Sequence, residues 1–245
     1  MPPDTAWLRI LPDPRAILFD LDGTLVDTVP QRIASWLEAF REAGIPASRR
    51  QVSALVGSDG RRLAQKVGAD AGLTLDPATV EELDRRAGEL HEAANQDPRP
   101  LPGAAELLRA LAATDVRTAI ATSSRAEQVR TSVDALELER PPLVVDGSHV
   151  RHAKPAPDLL LLGARLLRLS PRSCWYVGDA AWDMLAARDA GMVAIGVPSG
   201  AVSVATLRRA GAAAVVGDLG QLQRELVRRG LMGTGTALRR PGGSA

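Results

Sequence analysis

The sequence predicts an α/β fold: a Rossmann-like parallel sheet with helices on both faces, plus an all-helical domain inserted after the first strand. Two observations indicate this fold. From residue 104 onward, short apolar runs alternate with segments of helical periodicity, as in a parallel sheet covered by helices. A first apolar run lies far upstream, and the residues between, 28–100, contain helical patterns and no convincing strand.

The first strand is predicted at residues 17–19, ending at Asp20. Four helices should follow. The first carries an apolar face from Val29 to Phe40, and a capping-box pair, Ser48 and Gln51, should start the second. The third should cover residues 61–67. In the fourth, which should begin after Asp76, the expected buried positions are Val80, Leu83, Ala87 and Leu90.

The later elements alternate regularly. They are helix 104–113, strand 116–121, helix 124–136, strand 143–145, helix 157–169, strand 174–177, helix 180–190, strand 193–197, a helix to 210, strand 213–216 and helix 219–229. We therefore expect an α/β domain made of residues 15–27 and 101–229 and a helical domain at 28–100. The tail at 230–245 is rich in Gly, Thr, Arg and Pro and is predicted to be disordered.

The composition excludes several classes of protein. The chain has 245 residues and a net charge of +1, so charge gives no reason to expect nucleic acid or a membrane surface as partner. No stretch approaches the ~20 apolar residues of a membrane span. Cys174 is the single cysteine, which excludes an internal disulfide. We expect a cytoplasmic protein, either a monomer or a homodimer.

Lysine is almost absent from the sequence. Of the 30 basic residues only Lys66 and Lys154 are lysines, which leaves 30 − 2 = 28 arginines. Because arginine supplies nearly all of the positive charge, a position occupied by lysine is a stronger candidate for a specific role. Lys154, just before a predicted helix, is therefore a candidate functional residue.

Polar residues follow three of the predicted strands, where reactive groups gather in open α/β sheets. Asp20 and Asp22 come after the first strand, and their carboxylates would repel each other unless a cation lay between them. Thr122, Ser123 and Ser124 close the strand at 116–121, at a helix N-terminus that suits an anion. Each segment alone also fits an ordinary turn or helix cap.

Gly178 and Asp179 follow the predicted strand at 174–177, with Asp183 one helical turn later. Together the segments supply acids, hydroxyl groups and Lys154. A phosphoryl-transfer site needs a nucleophile, an acid/base, a cation and donors for phosphate oxygens. The combination indicates that chemistry.

Four segments, residues 20–27, 122–123, 154–158 and 178–183, resemble the ordered motifs of the haloacid dehalogenase-like (HAD) superfamily, and most of all its phosphoglycolate-phosphatase-like branch. The resemblance covers about residues 15 to 217, and the helical insertion matches that branch's cap domain in position and size. It implies a phosphatase in which Asp20 attacks phosphorus and forms an aspartyl-phosphate. Asp22 would protonate the leaving oxygen and then deprotonate the hydrolytic water.

The resemblance also implies a cofactor and supporting residues. Mg²⁺ would be held by the Asp20 carboxylate, the Asp22 backbone carbonyl and Asp179. The supporting residues would be Thr122 and Ser123, which donate to the phosphate oxygens, Lys154, which balances negative charge, and Asp183, which orients the metal shell or Lys154. The expected partner is a small phosphorylated metabolite, with phosphoglycolate one possibility.

Other activities stay open at this point. A sugar-phosphate mutase and a catalytically silent binding protein share the scaffold. Dehalogenases and phosphonate hydrolases of the superfamily lack an acid at the position of Asp22. The phosphonate enzymes also need a cap lysine, and the one candidate, Lys66, is expected to be a solvated helix residue.

Two further groups of residues have unassigned roles. Arg61 and Arg62, in the Gly-punctuated segment 57–62, are candidates for reading the substrate, and adjacent helical positions allow only one to point inward easily. The alternative is that both begin a solvated helix. His149 and His152 flank the lysine segment and are either a second metal site or, as we favour, exposed loop residues.

Overall fold

Six parallel strands form the centre of the protein, which a computed structural model describes at residue 8 and residues 10–233. The strands are β1 Ala16–Phe19, β2 Arg117–Ala121, β3 Leu143–Val145, β4 Cys174–Gly178, β5 Val193–Gly196 and β6 Ala214–Val215. Every strand predicted from the sequence is present. Across the sheet the strand order is β3-β2-β1-β4-β5-β6, and each neighbouring pair is parallel.

The central strands are apolar throughout because both faces of the sheet are covered. Alternate residues enter opposite layers: Phe19 and Trp175 lie in one apolar cluster, Leu18 and Tyr176 in the other. The helices that follow the helical insertion are α5 Ala104–Leu111, α6 Ala126–Asp134, α7 Asp158–Leu166, α8 Ala181–Ala190, α9 Val204–Arg209 and α10 Leu219–Arg228. Helices α5 and α10 pack on the first face of the sheet, and α7 and α8 on the second.

The helical insertion between β1 and α5 has an apolar cluster of its own. Its helices are α1 Val29–Glu42, α2 Arg49–Leu55, α3 Gly60–Asp70 and α4 Pro77–Ala94. The predicted capping box starts α2: Gln51 N donates to Ser48 Oγ at 3.3 Å, and Ser48 N donates to Gln51 Oε1 at 2.9 Å. Asp76 caps α4 through the backbone N–H of Thr79, at 2.8 Å. This block confirms the helical insertion after the first strand.

One predicted position in α4 is wrong. Val80, Leu83 and Ala87 are buried as expected, but the stripe continues through His91, while Leu90 is only partly buried. His91 lies four residues after Ala87, on the same face, while Leu90 is partly buried against the insertion's apolar cluster. The fully buried stripe of α4 therefore ends on a histidine rather than on the expected leucine.

The expectations for Lys66 and Cys174 are met. Lys66 lies on α3 with 57% of its side chain exposed and donates to Asp70 one turn on. Cys174 is buried in β4. Within the described residues, no helix is long and apolar enough to cross a bilayer. Most of the tail predicted to be disordered, from residue 234 on, lies outside the described residues.

Candidate active site

The carboxyl ends of β1, β2 and β4 meet at one edge of the sheet, beneath the helical insertion. A cavity of about 80 Å³ lies there, lined by residues of both parts of the chain. A single water needs about 10–15 Å³, so the cavity has room for several water molecules or a small polar group. Seven of the predicted site residues line it: Asp20, Asp22, Arg61, Thr122, Ser123, Lys154 and Asp179.

Lys154 is the centre of a buried polar network, with 1% of its side chain exposed. Its Nζ donates to Asp20 Oδ1 at 2.5 Å, to Asp183 Oδ1 at 2.7 Å and to the Tyr176 hydroxyl at 3.2 Å. Burial alone would lower the pKa of Lys154, but the Asp183 and Asp20 carboxylates hold that pKa well above its ordinary value. The side chain is therefore a charged ammonium placed between two acids.

The acids around Lys154 carry more negative charge than it can balance. Carboxylate oxygens of Asp20, Asp179 and Asp183 lie within 4.8 Å of one another. Three carboxylates and one ammonium give a formal charge of −2, which a divalent cation would neutralise. Burial raises the pKa of Asp20 to about 7, and burial together with Asp183 raises the pKa of Asp179 well above its ordinary value.

The free oxygens of this trio fit a hard cation. Both oxygens of Asp183 are occupied, one by Lys154 and the other by the backbone N–H of Ala180 at 2.8 Å. Among the described residues, Asp20 Oδ2 and Asp179 Oδ2 accept no hydrogen bond. Carboxylate oxygens are the ligands that Mg²⁺ prefers, so Asp20 and Asp179 are suited to hold it, with Asp183 supporting Lys154.

Asp179 is held in place by its surroundings. Thr24 Oγ1 donates to its Oδ1 at 3.0 Å. Its other oxygen lies so near two glycines that an added Cβ would come within 2.5 Å of it at Gly23 and 1.7 Å at Gly200. Any larger residue at Gly200 would have to displace this carboxylate.

Asp22 is anchored from both parts of the chain. Its Oδ1 accepts from Thr28 Oγ1 at 2.6 Å, and its Oδ2 accepts from Ser124 Oγ at 2.5 Å and from Arg32 Nη2 at 3.0 Å. Burial would raise the pKa of Asp22, but the Arg32 guanidinium and these hydrogen bonds hold that pKa below its usual range. Asp22 is therefore ionised in this arrangement.

The three hydroxyl groups of the segment after β2 have different hydrogen-bond partners. Thr122 Oγ1 accepts from the backbone N–H of Ser124 at 3.1 Å, and Ser123 Oγ donates to the carbonyl of Gly57 in the insertion at 3.3 Å. Both residues line the cavity, so their predicted role as phosphate donors stays a prediction that the geometry allows. Ser124, considered with them as an anion ligand, instead donates to Asp22.

The two candidate arginines of segment 57–62 take different positions. Arg61 lines the cavity and pairs with Asp59 at 3.0 Å. Arg62 lies over the ring of Trp182 in α8, 5.1 Å from its centroid, and is not among the lining residues. The same segment contacts the sheet domain where Asp59 N donates to the Lys154 carbonyl at 2.8 Å. Arg61 alone is placed to meet a substrate.

His149 and His152 do not converge on a common point. His149, 51% exposed, accepts a hydrogen bond at Nδ1 from the backbone N–H of Asp146 at 3.2 Å. His152, 67% exposed, lies 3.5 Å from Asp158. Within the described chain, the only grouping that could hold a metal is the buried acidic trio. The favoured interpretation, exposed loop histidines, agrees with this geometry.

Sequence reasoning did not identify four residues that line the cavity from the insertion side and from α6: Arg32, Asp84, His91 and Arg125. A signal was present for His91, which continues the helical spacing of Val80 and Ala87, and for Arg32, four residues before the buried Trp36. Neither could be assigned without knowing which helix faces lie over the sheet.

The fold and the site define a class of protein: a hydrolase with an open parallel sheet, acids at its strand ends and a helical insertion covering them. Residues 17–197 match the Haloacid dehalogenase-like hydrolase family. The match covers well over half of the chain, and the chain therefore belongs to this family.

Relatives with assigned activities are similar over most of the chain. The N-acetylmuramic acid 6-phosphate phosphatase of Pseudomonas putida is 32% identical, over 72% of this chain and 79% of its own. Phosphoglycolate phosphatase 1 of Pseudomonas aeruginosa is 32% identical, over 73% and 67%. The beta-phosphoglucomutase of Bacillus subtilis is 28% identical, over 76% and 84%.

A solved structure agrees in architecture. The crystal structure of a hydrolase from Pseudomonas syringae superposes with a TM-score of 0.83 and 32% identity, covering 87% of this chain and 98% of that one. The sheet and its helical insertion therefore have a counterpart in a protein of related sequence.

Proposed function

We propose that the protein is a Mg²⁺-dependent phosphatase that hydrolyses small-molecule phosphate monoesters through an aspartyl-phosphate on Asp20. Membership of the hydrolase family and the phosphatases among its relatives support phosphoric monoester hydrolysis. The observation that carries the finer proposal is the buried trio of Asp20, Asp179 and Asp183 around Lys154, with its formal charge of −2.

In the proposed first step, a carboxylate oxygen of Asp20 attacks phosphorus and the bond from phosphorus to the ester oxygen breaks. Lys154 keeps Asp20 oriented, and Thr122 and Ser123 line the space for the phosphate oxygens. The leaving oxygen takes a proton from Asp22. The bound cation would offset the repulsion between the acids and the phosphate.

In the second step, Asp22 accepts a proton from a water that attacks phosphorus, and the bond to Asp20 breaks, which releases phosphate. The Arg32 ion pair favours the ionised form of Asp22 that this step needs. The first step needs the protonated form, so Asp22 must take up a proton as the substrate binds.

We further propose that residues 28–100 are a cap domain over an α/β domain of residues 15–27 and 101–229. The two connections run side by side: Asp27 N donates to the Arg99 carbonyl at 2.9 Å, and Leu101 N to the Leu25 carbonyl at 2.8 Å. Two adjacent connecting segments between two apolar clusters are a suitable hinge for closure that excludes water.

The proposal is tested by hydrolysis of an aryl phosphate by the purified protein, with Mg²⁺ and with excess chelator. Release of phosphate that requires Mg²⁺ and is lost in Asp20→Asn is the expected result. A silent binding protein would release none in either condition.

A sugar-phosphate mutase is the second candidate, supported by the Bacillus subtilis relative. It would convert a hexose 1-phosphate into its isomer with little release of inorganic phosphate. Product analysis on hexose phosphates separates the two activities.

A further inference from the structure

The end of the cavity beyond Asp22 must hold the leaving group, because Asp22 gives its proton to the leaving oxygen. The charges at this end are already matched. Each lining arginine faces a carboxylate at hydrogen-bonding distance. The pairs are Arg32 with Asp22 at 3.0 Å, Arg61 with Asp59 at 3.0 Å and Arg125 with Asp84 at 2.5 Å.

This pairing of arginines with acids limits the charge that the leaving group can carry. A leaving group with a carboxylate of its own would need a cation, and each arginine that lines this end of the described cavity already has an acidic partner. A second acid would have to compete with Asp22, Asp59 and Asp84 for those arginines. The arrangement therefore favours an uncharged leaving group.

His91 is the polar group at this end that lacks a partner. Its side chain projects from α4, lines the cavity and is 1% exposed. Neither ring nitrogen has a hydrogen-bond partner among the described residues, and neither has the Nε of its neighbour Arg32. Buried polar atoms are nearly always hydrogen-bonded, so two such side chains in one cavity indicate a ligand that supplies the partners.

The protonation state of His91 limits the kind of chemical group that can be its partner in the ligand. Burial, and then the charge of Arg32, lowers the pKa of His91 to about 3, so the imidazole is neutral at pH 7. A neutral imidazole offers one N–H donor and one nitrogen acceptor. A hydroxyl group can satisfy either nitrogen, whereas a carboxylate can only accept and would leave the acceptor nitrogen unpaired.

We propose that His91 is a specificity-determining residue that hydrogen-bonds a hydroxyl of an uncharged leaving group, so that the substrates are phosphate esters of sugars or polyols rather than of hydroxy acids. This inference rests on the proposed function and names the substrate class of the same site. The N–H at Arg32 Nε, near His91, is placed to donate to a second hydroxyl oxygen.

The test compares three substrates: the best hexose or hexitol phosphate from a panel, 2-phosphoglycolate and an aryl phosphate without hydroxyl groups. The variants are His91→Phe, which removes both nitrogens, and His91→Gln, which keeps a donor and an acceptor. His152→Phe is the matched control, because that histidine is exposed and does not line the cavity.

The wild-type enzyme should prefer the hexose or hexitol phosphate to 2-phosphoglycolate in kcat/KM by about tenfold or more. In His91→Phe, the ratio of kcat/KM for the sugar substrate to that for the aryl phosphate should fall about tenfold, the effect of one or two lost hydrogen bonds. His91→Gln should recover most of this ratio, and His152→Phe should not change it.

A preference for 2-phosphoglycolate would overturn the inference even if no His91 variant folds. So would an unchanged ratio in folded His91→Phe, including a case in which both rates fall together, since that result assigns the histidine a structural role. A wild-type protein without Asp20-dependent phosphatase activity would overturn the proposed function and this inference together. Activity with the wrong preference overturns the inference alone.

Discussion

Replacement of Lys154 by methionine should destabilise the protein strongly and nearly abolish its activity. Methionine has about the length and flexibility of lysine but no charge. Lys154 is buried between Asp20 and Asp183, and its loss would change the formal charge of the cluster from −2 to −3. Breaking a buried ion pair by removing one partner typically costs about 3–5 kcal/mol.

For a chain of this size, that loss corresponds to a fall in Tm of about 6–20 °C. Thermal and urea unfolding in chelator measure it, and repeating both in Mg²⁺ should restore part of the loss, because a bound cation stabilises the folded state. Lys154→Arg keeps the charge but not the shape of the ammonium, and we expect it to lose about 10²-fold or more in kcat.

The sequence contains its own control for this experiment. Lys66→Met changes the other lysine, which is exposed on α3 and, among the described residues, pairs with Asp70. An exposed pair of this kind contributes about 0–1 kcal/mol, so Tm and kcat should hardly change. If Lys154→Met unfolds at the same temperature as Lys66→Met and keeps its turnover, the buried network does not hold the site together.

Further outcomes are expected. Gly200→Ala should raise the Mg²⁺ concentration for half-maximal activity about tenfold or more, because its Cβ would displace Asp179. Gly233→Ala, whose Cβ would meet no atom of the described residues within 4 Å, should not raise it, and equal metal titrations of the two variants would refute this. Arg61→Ala should lower kcat/KM on the best natural substrate about tenfold and affect an aryl phosphate less. Arg62→Ala should mainly lower the free energy of unfolding, by about 0.5–1 kcal/mol, because it removes the contact with Trp182. If Arg62→Ala instead lowers kcat/KM and Arg61→Ala lowers the stability, the roles of the two arginines are the reverse of those assigned.

The sheet and the strand-end acids could be predicted because both follow from local patterns. Apolar runs such as the one before Asp20 form buried parallel strands, and the ends of such strands share an edge. Asp20, Thr122 and Asp179 therefore meet, although 159 positions separate the first from the last. Lys154 could be identified because the rest of the chain almost never uses lysine.

The leaving-group end of the cavity could not be predicted in the same way. Arg32 and His91 lie on two different helices, and their contact with Asp22 and the cavity depends on how α1 and α4 pack over the sheet. Ser124 was expected beside an anion because it follows a strand. Since β1 and β2 are neighbours in the sheet, its hydroxyl instead donates a hydrogen bond to Asp22. Such choices between nearby partners are decided by tertiary packing, which no periodicity encodes.

The account's central claim is that Asp20 carries the phosphoryl group. Turnover can be stopped in acid and the protein reduced with borohydride, which converts an aspartyl-phosphate into homoserine, and peptide mass spectrometry then locates the change. We predict homoserine at position 20 in the wild-type protein with substrate and Mg²⁺, and none in folded Asp20→Asn, which should also show no turnover. Homoserine at Asp22 or another acid, or wild-type-like turnover in Asp20→Asn, would contradict the mechanism.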